Sequence, residues 1–485
     1  MSLTELVVGI DVGTGGVRVI ACDAAGTPWA EAEHPLTTVR EGPFVEQDPR
    51  TWWAATANGL RQVTAAVQGR GLIRAVGVTA TSGTVCLLAA DGQPVRPALL
   101  YSDSRAGAEA AEVNALAQDL CDRLGYRFHS SWALPKLLWL LRHEPAHLAA
   151  ARYFAHAGDF VTGCLCGDFA VTDPTQALKT GYDLLREQWP TDLLDQLGLP
   201  PERLPRVVRS GAAVGTVTPA AAAETGLAPG TVIVAGMTDG CAAQVAAGAT
   251  RPGQWFSVIG TTLVIKGVTT ELLRDPAGRV YCHRHPSGDW LPGAASNTGG
   301  EALAPWPREQ LPALDREAAQ RTPTSLLTYP LRSQGERFPF VHPEAVGFTL
   351  GTPSAPGEAY TAVLEGVAYV ERLGFAVLRE LGAVVAGPIL TAGGGAKSAV
   401  WNQIRADVLQ LPLSVPRLTG ASFGAAVLAA TAAFDQTLVE AAARMTHAAA
   451  TVLPRPAYAA AYTERYAGFV EACRARGYLR GASSG

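Results

Sequence analysis

The chain has 485 residues, too many for one ordinary domain, and its composition, 48% hydrophobic and 17% charged, is typical of a globular protein with a large core. The formal net charge is −4 and the lysines and arginines are scattered, which argues against nucleic acid or a membrane surface as a partner. The eight cysteines are dispersed, so we expect reduced thiols rather than a metal site. The sequence indicates neither a signal peptide nor a segment apolar enough to cross a bilayer, and we therefore expect a cytoplasmic protein.

The N-terminal part of the chain predicts a β-meander, a helix and further strands. The meander is formed by "ELVVGID", "VRVIACD" and "PWAEAEHPL", which short turns with glycine connect. A helix should follow, because Asp48 is a suitable N-cap, Pro49 fits the first helical position and apolar residues recur at helical spacing. "IRAVGVTATSG" then predicts a strand and a loop, followed by a strand, an Asp-Gly turn and a strand.

From about Arg105 to Gly211 the sequence predicts mostly helices, of which "LPKLLWLLRHEP" is clearly amphipathic. "TVIVAGMTDG" then predicts a strand, and "CAAQVAAG" predicts the helix after it. The C-terminal part predicts a long helix and, in "GPILTAGGGAKSAVWNQIRADVLQLPLSV", a strand, a glycine turn, a helix and a strand.

One arrangement, a strand, a Gly-Thr turn and a second strand, occurs twice, in "GIDVGTGGVRVI" and in "SVIGTTLVIKGV". The repetition predicts a duplicated α/β architecture with a boundary near Gly248 to Gly253. Two such hairpins could bind a phosphate chain, because turn amides and a hydroxyl can donate to anionic oxygens. Glycine would let the backbone approach these oxygens closely and adopt positive φ.

Asp11 lies near the end of the first apolar run, where a buried carboxylate needs a compensating partner. One interpretation is Mg²⁺, a hard cation that prefers carboxylate oxygens, bound beside the phosphates. The alternative is a hairpin turn in which the aspartate caps its own backbone.

Asp239 lies between a predicted strand and a predicted helix, in the place of an N-cap, where aspartate is common for purely structural reasons. The functional interpretation is a general base that takes the proton from an attacking sugar hydroxyl. The residue pattern by itself leaves both interpretations open.

The glycine turn in "TAGGGAKSAVWNQ" matches neither of two common nucleotide motifs. Ala396 stands where a P-loop requires glycine before the lysine, and the glycine spacing upstream also fails. A dinucleotide fingerprint fails at the N-terminus, where Arg18 occupies the third glycine position and a strand follows. What remains is a glycine turn that opens a helix and could hold a nucleoside beside Trp401, whose alternative role is core packing.

In combination, "GIDVGTGG", "GMTDG", "GQWFSVIGTT" and "LTAGGGAKSAVWNQ" resemble the FGGY carbohydrate kinases, from Val7 to about Phe434. The resemblance implies an α/β fold of two actin-like, ribonuclease H-like domains, 1–248 and 249–485, with the active site in a cleft between them. "TSGT" and "ALKTGYD" are most similar to the D-ribulose kinases of cyanobacteria and plants. A typical xylulokinase would show a loop similar to Gly-Gln-Met-His-Gly where this chain has "TSGTV".

The family's site residues can be transferred to the matching positions of this sequence. The resemblance implies that Asp239 is the catalytic base and that Asp11 lies near the metal and the substrate. It also implies two phosphate hairpins, formed by Gly13 and Thr14 and by Gly260, Thr261 and Thr262. The implied adenosine site consists of Gly394, Gly395, Ser398 and Trp401. The implied sugar site consists of Ser82 and Gly83 with help from Asp103. Arg18 occupies a position where many relatives have lysine or a small residue, and the sequence assigns it no role.

The main hypothesis is therefore an ATP- and Mg²⁺-dependent kinase of a ketopentose, most simply D-ribulose to D-ribulose 5-phosphate, acting as a monomer or homodimer. D-xylulose, another pentulose, a polyol such as ribitol and a heptulose remain open as substrates. A non-catalytic, actin-like protein that binds ATP or senses sugar is a second class, although such a protein would not need to keep both Asp11 and Asp239. The failed glycine fingerprint argues against a nicotinamide dehydrogenase.

Overall fold

The computed structural model describes residues 3–479, which divide into two compact units. Unit 1 consists of Met1–Thr250, His283–Asp289 and Leu418–Thr446, and unit 2 consists of Arg251–Cys282, Trp290–Arg417 and His447–Gly485. The predicted domains, 1–248 and 249–485, stay a prediction; the compact units differ from them in the two later segments that return to unit 1.

Strands and helices alternate along much of the chain, as in α/β proteins. The strands are β1 Thr4–Val12, β2 Gly16–Asp23, β3 Pro28–Pro35, β4 Val39–Glu41, β5 Phe44–Gln47, β6 Gly71–Ala80, β7 Cys86–Leu88, β8 Ala98–Leu99, β9 Tyr153–Ala155, β10 Val171–Thr172, β11 Arg206–Val207, β12 Ala213–Thr216, β13 Val232–Val234, β14 Trp255–Ile259, β15 Leu263–Gly267, β16 Tyr281–Arg284, β17 Trp290–Ser296, β18 Leu327–Tyr329, β19 Phe348–Leu350, β20 Ile389–Ala392, β21 Leu413–Pro416 and β22 Ala448–Val452. The helices are α1 Pro49–Val67, α2 Gly107–Leu116, α3 Gln118–Leu124, α4 Ala133–His143, α5 Pro145–Ala150, α6 Ala157–Cys166, α7 Pro174–Ala177, α8 Thr191–Gln196, α9 Pro219–Thr225, α10 Asp239–Ala247, α11 Leu311–Arg321, α12 Pro356–Glu380, α13 Ala399–Leu409, α14 Ala421–Ala433, α15 Leu438–Met445 and α16 Ala459–Ala475.

The central sheet of unit 1 has the strand order β12-β13-β6-β1-β2-β3. The meander β1-β2-β3 is antiparallel, as predicted, while β1, β6 and β13 run parallel to one another. The middle and the end of β1 and the second half of β6 are buried on both faces, which is the reason that these strands are almost continuously apolar. The parallel trio brings its three carboxyl ends to one edge of the sheet.

Two helices that cover this sheet explain its sequence pattern. Helix α1 begins where predicted, because the Asp48 side chain accepts a hydrogen bond from the Arg50 amide and Pro49 occupies the first turn. Helix α14 lies so close to the sheet that a Cβ on Gly9 would be 1.8 Å from the Ser422 carbonyl oxygen. Because of this close packing, Leu418–Thr446 belongs to unit 1, although it is far from the rest of that unit in the sequence.

The central sheet of unit 2 has the strand order β16-β17-β15-β14-β20-β21-β22. Its hairpin β14–β15 pairs Ile259 with Leu263, and β14 runs parallel to β20. Each unit therefore contains a Gly-Thr hairpin whose first strand also pairs with a parallel strand. The predicted α/β class and the repeated hairpin are confirmed.

One feature of the fold differs from the sequence-based prediction. The segment predicted to be largely helical also contains the short strands β9, β10 and β11, which are too short to show a period of their own.

Within residues 3–479, no helix is both long enough and apolar enough to cross a membrane.

Candidate active site

Three groups from distant parts of the sequence meet at the carboxyl edge of the parallel strands in unit 1. Asp11 lies near the end of β1 and pairs with Thr79 of β6. Ala80, which ends β6, forms a parallel bridge with Thr238, the residue before Asp239. The sheet order thus places Asp11, the loop after β6 and Asp239 on neighbouring strand ends, where ligands commonly bind in α/β sheets.

The Asp239 carboxylate is held by its neighbours and remains partly exposed. Its Oδ2 accepts a hydrogen bond from the Thr81 hydroxyl at 2.9 Å, and its Oδ1 accepts one from the Gly240 amide at 2.6 Å. Thr238 is the N-cap of α10 and Asp239 is the first helical residue, so the predicted N-cap position was one residue too late. A carboxylate that is both oriented and accessible is suited to proton transfer.

A buried polar pair fixes the turn that carries Asp239. The Thr238 amide donates to the Thr175 hydroxyl at 2.7 Å, and that hydroxyl donates to Asp173 Oδ1 at 2.5 Å. Burial raises the pKa of Asp173 to about 7. These two residues were not assigned a role from the sequence; the only local signal is the Asp-Pro-Thr pattern, which is also that of an ordinary helix start.

Asp11 is buried with little compensation. Its side chain is 9% exposed, its Oδ1 has no hydrogen-bond partner among the described residues, and its Oδ2 lies 3.8 Å from Arg18 Nη1. Burial, and next the negative charge of Asp239, raise the pKa of Asp11 to about 7, while Arg18 lowers it. Arg18 also forms an ion pair with Glu33 at 2.7 Å. Arg18, to which the sequence assigns no role, is thus a cation beside this edge.

The tip of the first hairpin leaves several donors available. The Gly13 amide closes the turn on the Gly16 carbonyl at 3.1 Å, and the Thr14 carbonyl accepts from the Gln47 side chain at 2.8 Å. The hydroxyl and amide of Thr14 and the amide of Gly15 have no hydrogen-bond partner among residues 3–479. The expectation of positive φ was wrong for these glycines, and only Gly16 is sterically required, since a Cβ there would lie 2.8 Å from the His34 carbonyl oxygen.

The loop after β6, predicted to bind sugar, is fixed from below by a buried lysine. Lys136 is fully buried, and its ammonium donates to the carbonyls of Gly83, Leu100 and Ser131 at 2.9, 2.5 and 3.2 Å. Burial lowers its pKa to about 7. The sequence predicts only an amphipathic helix here; the local signal of the buried contact is a lysine between Pro135 and Leu137 on the buried face.

The three predicted sugar residues of this region differ in their surroundings. Gly83 has φ +87°, and a Cβ there would lie 2.4 Å from the Ser131 carbonyl oxygen, so the loop requires glycine at this point. The Ser82 carbonyl accepts from Lys179 at 3.4 Å. Asp103 is fully buried, and its oxygens accept from the Val45 amide and from Arg105. Its carboxylate is therefore already occupied by contacts within the protein.

In unit 2, the second hairpin and the glycine turn after β20 lie against each other. The Gly260 amide donates to the Thr262 carbonyl at 3.0 Å, and Thr261 is exposed at the tip. Gly393 has φ +87°, and a Cβ there would lie 2.4 Å from the Ile259 carbonyl oxygen. Gly394 is exposed with open space around it, whereas Gly395 is buried.

Ser398 and Trp401 have structural contacts. The Ser398 hydroxyl accepts from the Trp401 amide at 3.0 Å, which makes it the N-cap of α13, and donates to Asp315 at 2.8 Å. The Trp401 indole is 2% exposed and donates to the Leu364 carbonyl at 3.1 Å. These contacts favour the core-packing interpretation of Trp401, and its contact with adenosine stays a prediction.

Comparison with protein families gives a match to each half of the chain. Residues 6–246 match the N-terminal domain of the FGGY family of carbohydrate kinases, and residues 256–433 match its C-terminal domain. This chain belongs to that family. It is a sugar kinase, a phosphotransferase, with the two-domain actin-like, ribonuclease H-like fold that the family resemblance implied.

Similar proteins include several sugar kinases. A xylulose kinase of Streptomyces rubiginosus is 32% identical over 440 residues, covering 89% of each chain. The solved structure of a xylulose kinase from Rhodospirillum rubrum has a TM-score of 0.88 at 30% identity and covers 97% of this chain and 98% of its own. A "xyloylose kinase" from Brucella ovis has a TM-score of 0.90 at 27% identity, covering 98% of this chain and 100% of its own.

FGGY kinases use ATP as the phosphate donor, generally with a divalent metal ion. The carboxyl edge of unit 1 suits such an ion, because Asp11 has an unpartnered buried oxygen and a second carboxylate, Asp239, close enough to raise its pKa. Residues 3–479 contain no cluster of three or more side chains that could hold a metal by themselves. This donor set fits Mg²⁺, which commonly binds to one or two carboxylates and takes its other ligands from phosphates and water.

Proposed function

We propose that this FGGY kinase transfers the terminal phosphoryl group of ATP to a ketopentose, with D-ribulose as the preferred substrate and D-ribulose 5-phosphate as the product. The observation that carries the proposal is the meeting of Asp11, the Thr81–Gly83 loop and Asp239 on neighbouring strand ends of unit 1. An acid for a metal, a loop for a sugar and a base for a hydroxyl are the groups that phosphoryl transfer to an alcohol requires.

Asp239 is assigned the role of general base. It accepts the proton of the sugar hydroxyl as that oxygen attacks the terminal phosphorus of ATP, and the phosphorus–oxygen bond to ADP breaks. The hydrogen bonds from Thr81 and Gly240 hold its two oxygens in place before substrate binds, which lowers the cost of orientation.

The phosphates are assigned to the Gly-Thr hairpins. In unit 1, the unpartnered donors of Thr14 and Gly15 suit anionic oxygens, and Arg18 adds positive charge next to Asp11. Mg²⁺, when bound at Asp11, would neutralise part of the phosphate charge. In unit 2, Gly260, Thr261 and Thr262 are assigned the same anion-binding role, and Gly394 and Gly395 are assigned to the adenosine.

The preference for D-ribulose rests on the loop that contains Ser82 and Gly83. Gly83 occupies a point where a side chain would collide with Ser131, and the loop therefore presents backbone and a small hydroxyl instead of the imidazole of a typical xylulokinase. D-xylulose is the second candidate, favoured by the names of the similar proteins from Streptomyces rubiginosus and Rhodospirillum rubrum.

The test is a substrate panel with purified protein and MgATP, in which ADP release is coupled to a spectroscopic readout. We expect the highest kcat/KM with D-ribulose and lower values with D-xylulose, ribitol and a heptulose. A higher kcat/KM with D-xylulose would replace the first candidate by the second. ADP release that does not depend on any added sugar or polyol would contradict the proposal as a whole.

A further inference from the structure

A cavity of about 480 Å³ lies within unit 1 and is not used by the proposed reaction. Its wall includes Glu187, Arg209, Ser210 and His285, but not Asp11, Ser82, Gly83 or Asp239. The volume is that of a site for a small molecule rather than for a single ion or water. The chemistry of the wall indicates which small molecule would fit.

His285 presents a fixed hydrogen-bond donor at this cavity. Its Nδ1 accepts from the Ser287 amide at 3.1 Å and lies 2.6 Å from the Ser287 hydroxyl, which donates to Asp289 at 2.6 Å. A backbone amide can only donate, so Nδ1 is an acceptor and the ring proton is assigned to Nε2, which is buried and has no partner among the described residues. Burial lowers the pKa of His285 to about 4, so the ring is neutral at pH 7.

Ser210 provides a second unsatisfied group. The residue is 4% exposed, it lines the same cavity, and its hydroxyl has no hydrogen-bond partner in the described part of the chain. A buried polar group without a partner costs roughly 1–3 kcal/mol. Two such groups on one cavity wall are most simply explained by a ligand that accepts hydrogen bonds from both.

The charges around the cavity specify the ligand further. Arg209 is exposed and forms no ion pair within residues 3–479, and Arg284 also lines the wall. Glu187 is the one carboxylate of the lining and is held in a left-handed conformation, with φ 52°. The cations and the two donors suit a phosphate group, whereas the Glu187 carboxylate suits the hydroxyl groups of a sugar.

We propose that this cavity binds a small sugar phosphate at a site separate from the catalytic residues. The phosphate is bound by Ser210, His285 and Arg209, and the sugar hydroxyls by Glu187. The proposal does not depend on which sugar the enzyme phosphorylates, because it concerns binding and not turnover.

The test is calorimetric titration of the full-length protein with three probes: D-ribose 5-phosphate, inorganic phosphate and D-ribose. We expect D-ribose 5-phosphate to bind with a Kd in the range of roughly 10 µM to 1 mM, and the other two to bind at least about tenfold more weakly. Equal affinity for inorganic phosphate would overturn the sugar part of the proposal, and equal affinity for D-ribose would overturn the phosphate part.

Two variants separate this cavity from the catalytic edge. Arg209→Met and His285→Phe should each weaken D-ribose 5-phosphate about tenfold, since each removes one phosphate contact. Arg40→Met, which changes an exposed arginine outside the cavity, should bind with wild-type affinity. Wild-type affinity in Arg209→Met would overturn the site; because Arg209 is exposed, this variant remains decisive even if His285→Phe does not fold.

Discussion

Two buried carboxylates, one in each unit, have opposite surroundings. In unit 2, Glu371 and Arg405 are both fully buried and joined by two hydrogen bonds of 2.8 Å, and Arg405 also donates to Thr391 and Ser257. In unit 1, one oxygen of Asp11 has no hydrogen-bond partner among the described residues, the like charge of Asp239 is nearby, and the cation Arg18 lies 3.8 Å away.

The difference distinguishes the charge of Glu371, which is compensated within the protein, from the charge of Asp11, which a ligand could compensate. The pair in unit 2 connects α12 and α13 to strands β14 and β20, and all its charge is compensated inside the protein. The charge in unit 1 is compensated only in part, and such sites are concentrated where proteins bind metals or substrates. Substitutions in unit 2 should therefore lower stability, whereas substitutions in unit 1 should lower activity without lowering stability.

The largest expected effect is on catalysis at the partly compensated edge. Asp239→Ala should lower kcat by about 10²–10⁴, because it removes the proposed general base, while ATP binding remains nearly unchanged. Steady-state kinetics and nucleotide titration measure the two quantities. Wild-type turnover in this variant would refute the assignment of the base.

In unit 2 the corresponding substitution should act on folding. Arg405→Met leaves Glu371 buried without its partner and should lower the free energy of unfolding by about 3–5 kcal/mol, measured by urea denaturation. The double variant Arg405→Met/Glu371→Leu should recover most of this loss, since no lone charge remains. A double variant no more stable than Arg405→Met would contradict the view that the pair is a compensated structural unit.

The burial of Asp11 should make the stability of the protein depend on pH. Its pKa is raised from an ordinary value of 3.8 to about 7, so the folded protein keeps a proton that the unfolded chain releases between these values. The stability gained from this proton is complete below about pH 4 and is lost as the pH rises to about 7.

In the Asp11→Asn variant the side chain does not ionise. In buffer with a metal chelator, we expect the variant to be more stable than wild type by about 2–4 kcal/mol at pH 8, with a difference that shrinks toward pH 4. Urea denaturation at the two pH values measures it. A difference independent of pH would mean that Asp11 is compensated in a way that the contacts of unit 1 do not provide.

The smallest expected effect concerns two threonine hydroxyls. The Thr14 hydroxyl at the first hairpin has no partner in the described part of the chain, whereas the Thr391 hydroxyl accepts from Arg405 at 2.6 Å. Thr14→Ala should slow phosphoryl transfer about fivefold and leave stability unchanged, which corresponds to the loss of one hydrogen bond worth about 1 kcal/mol. Thr391→Val should lower stability and leave the rate of phosphoryl transfer unchanged. A slower rate in Thr391→Val but not in Thr14→Ala would contradict the comparison between the units.

Much of the local structure could be predicted because its causes lie close together in the sequence. The hairpins around Thr14 and Thr261, and the helix that begins after Asp48, follow from apolar periodicity, turn glycines and a cap within a few residues. The aspartates at strand ends were found for the same reason. The roles of Lys136 and Thr175 were missed, since a lysine in an amphipathic helix and a threonine after a helix-starting proline have ordinary local explanations.

The sequence by itself determined the two Gly-Thr hairpins, the α/β class and the acids that end the strands, because each depends on neighbours along the chain. Only the tertiary structure decided that Asp11 and Asp239 influence each other's charge, that Lys136 holds the loop after β6 and that α14 returns to cover the first sheet. These contacts join residues that are far apart in the chain, and they depend on the order and register of parallel strands. Strand order is set by the packing of the whole core, which no short stretch of sequence encodes.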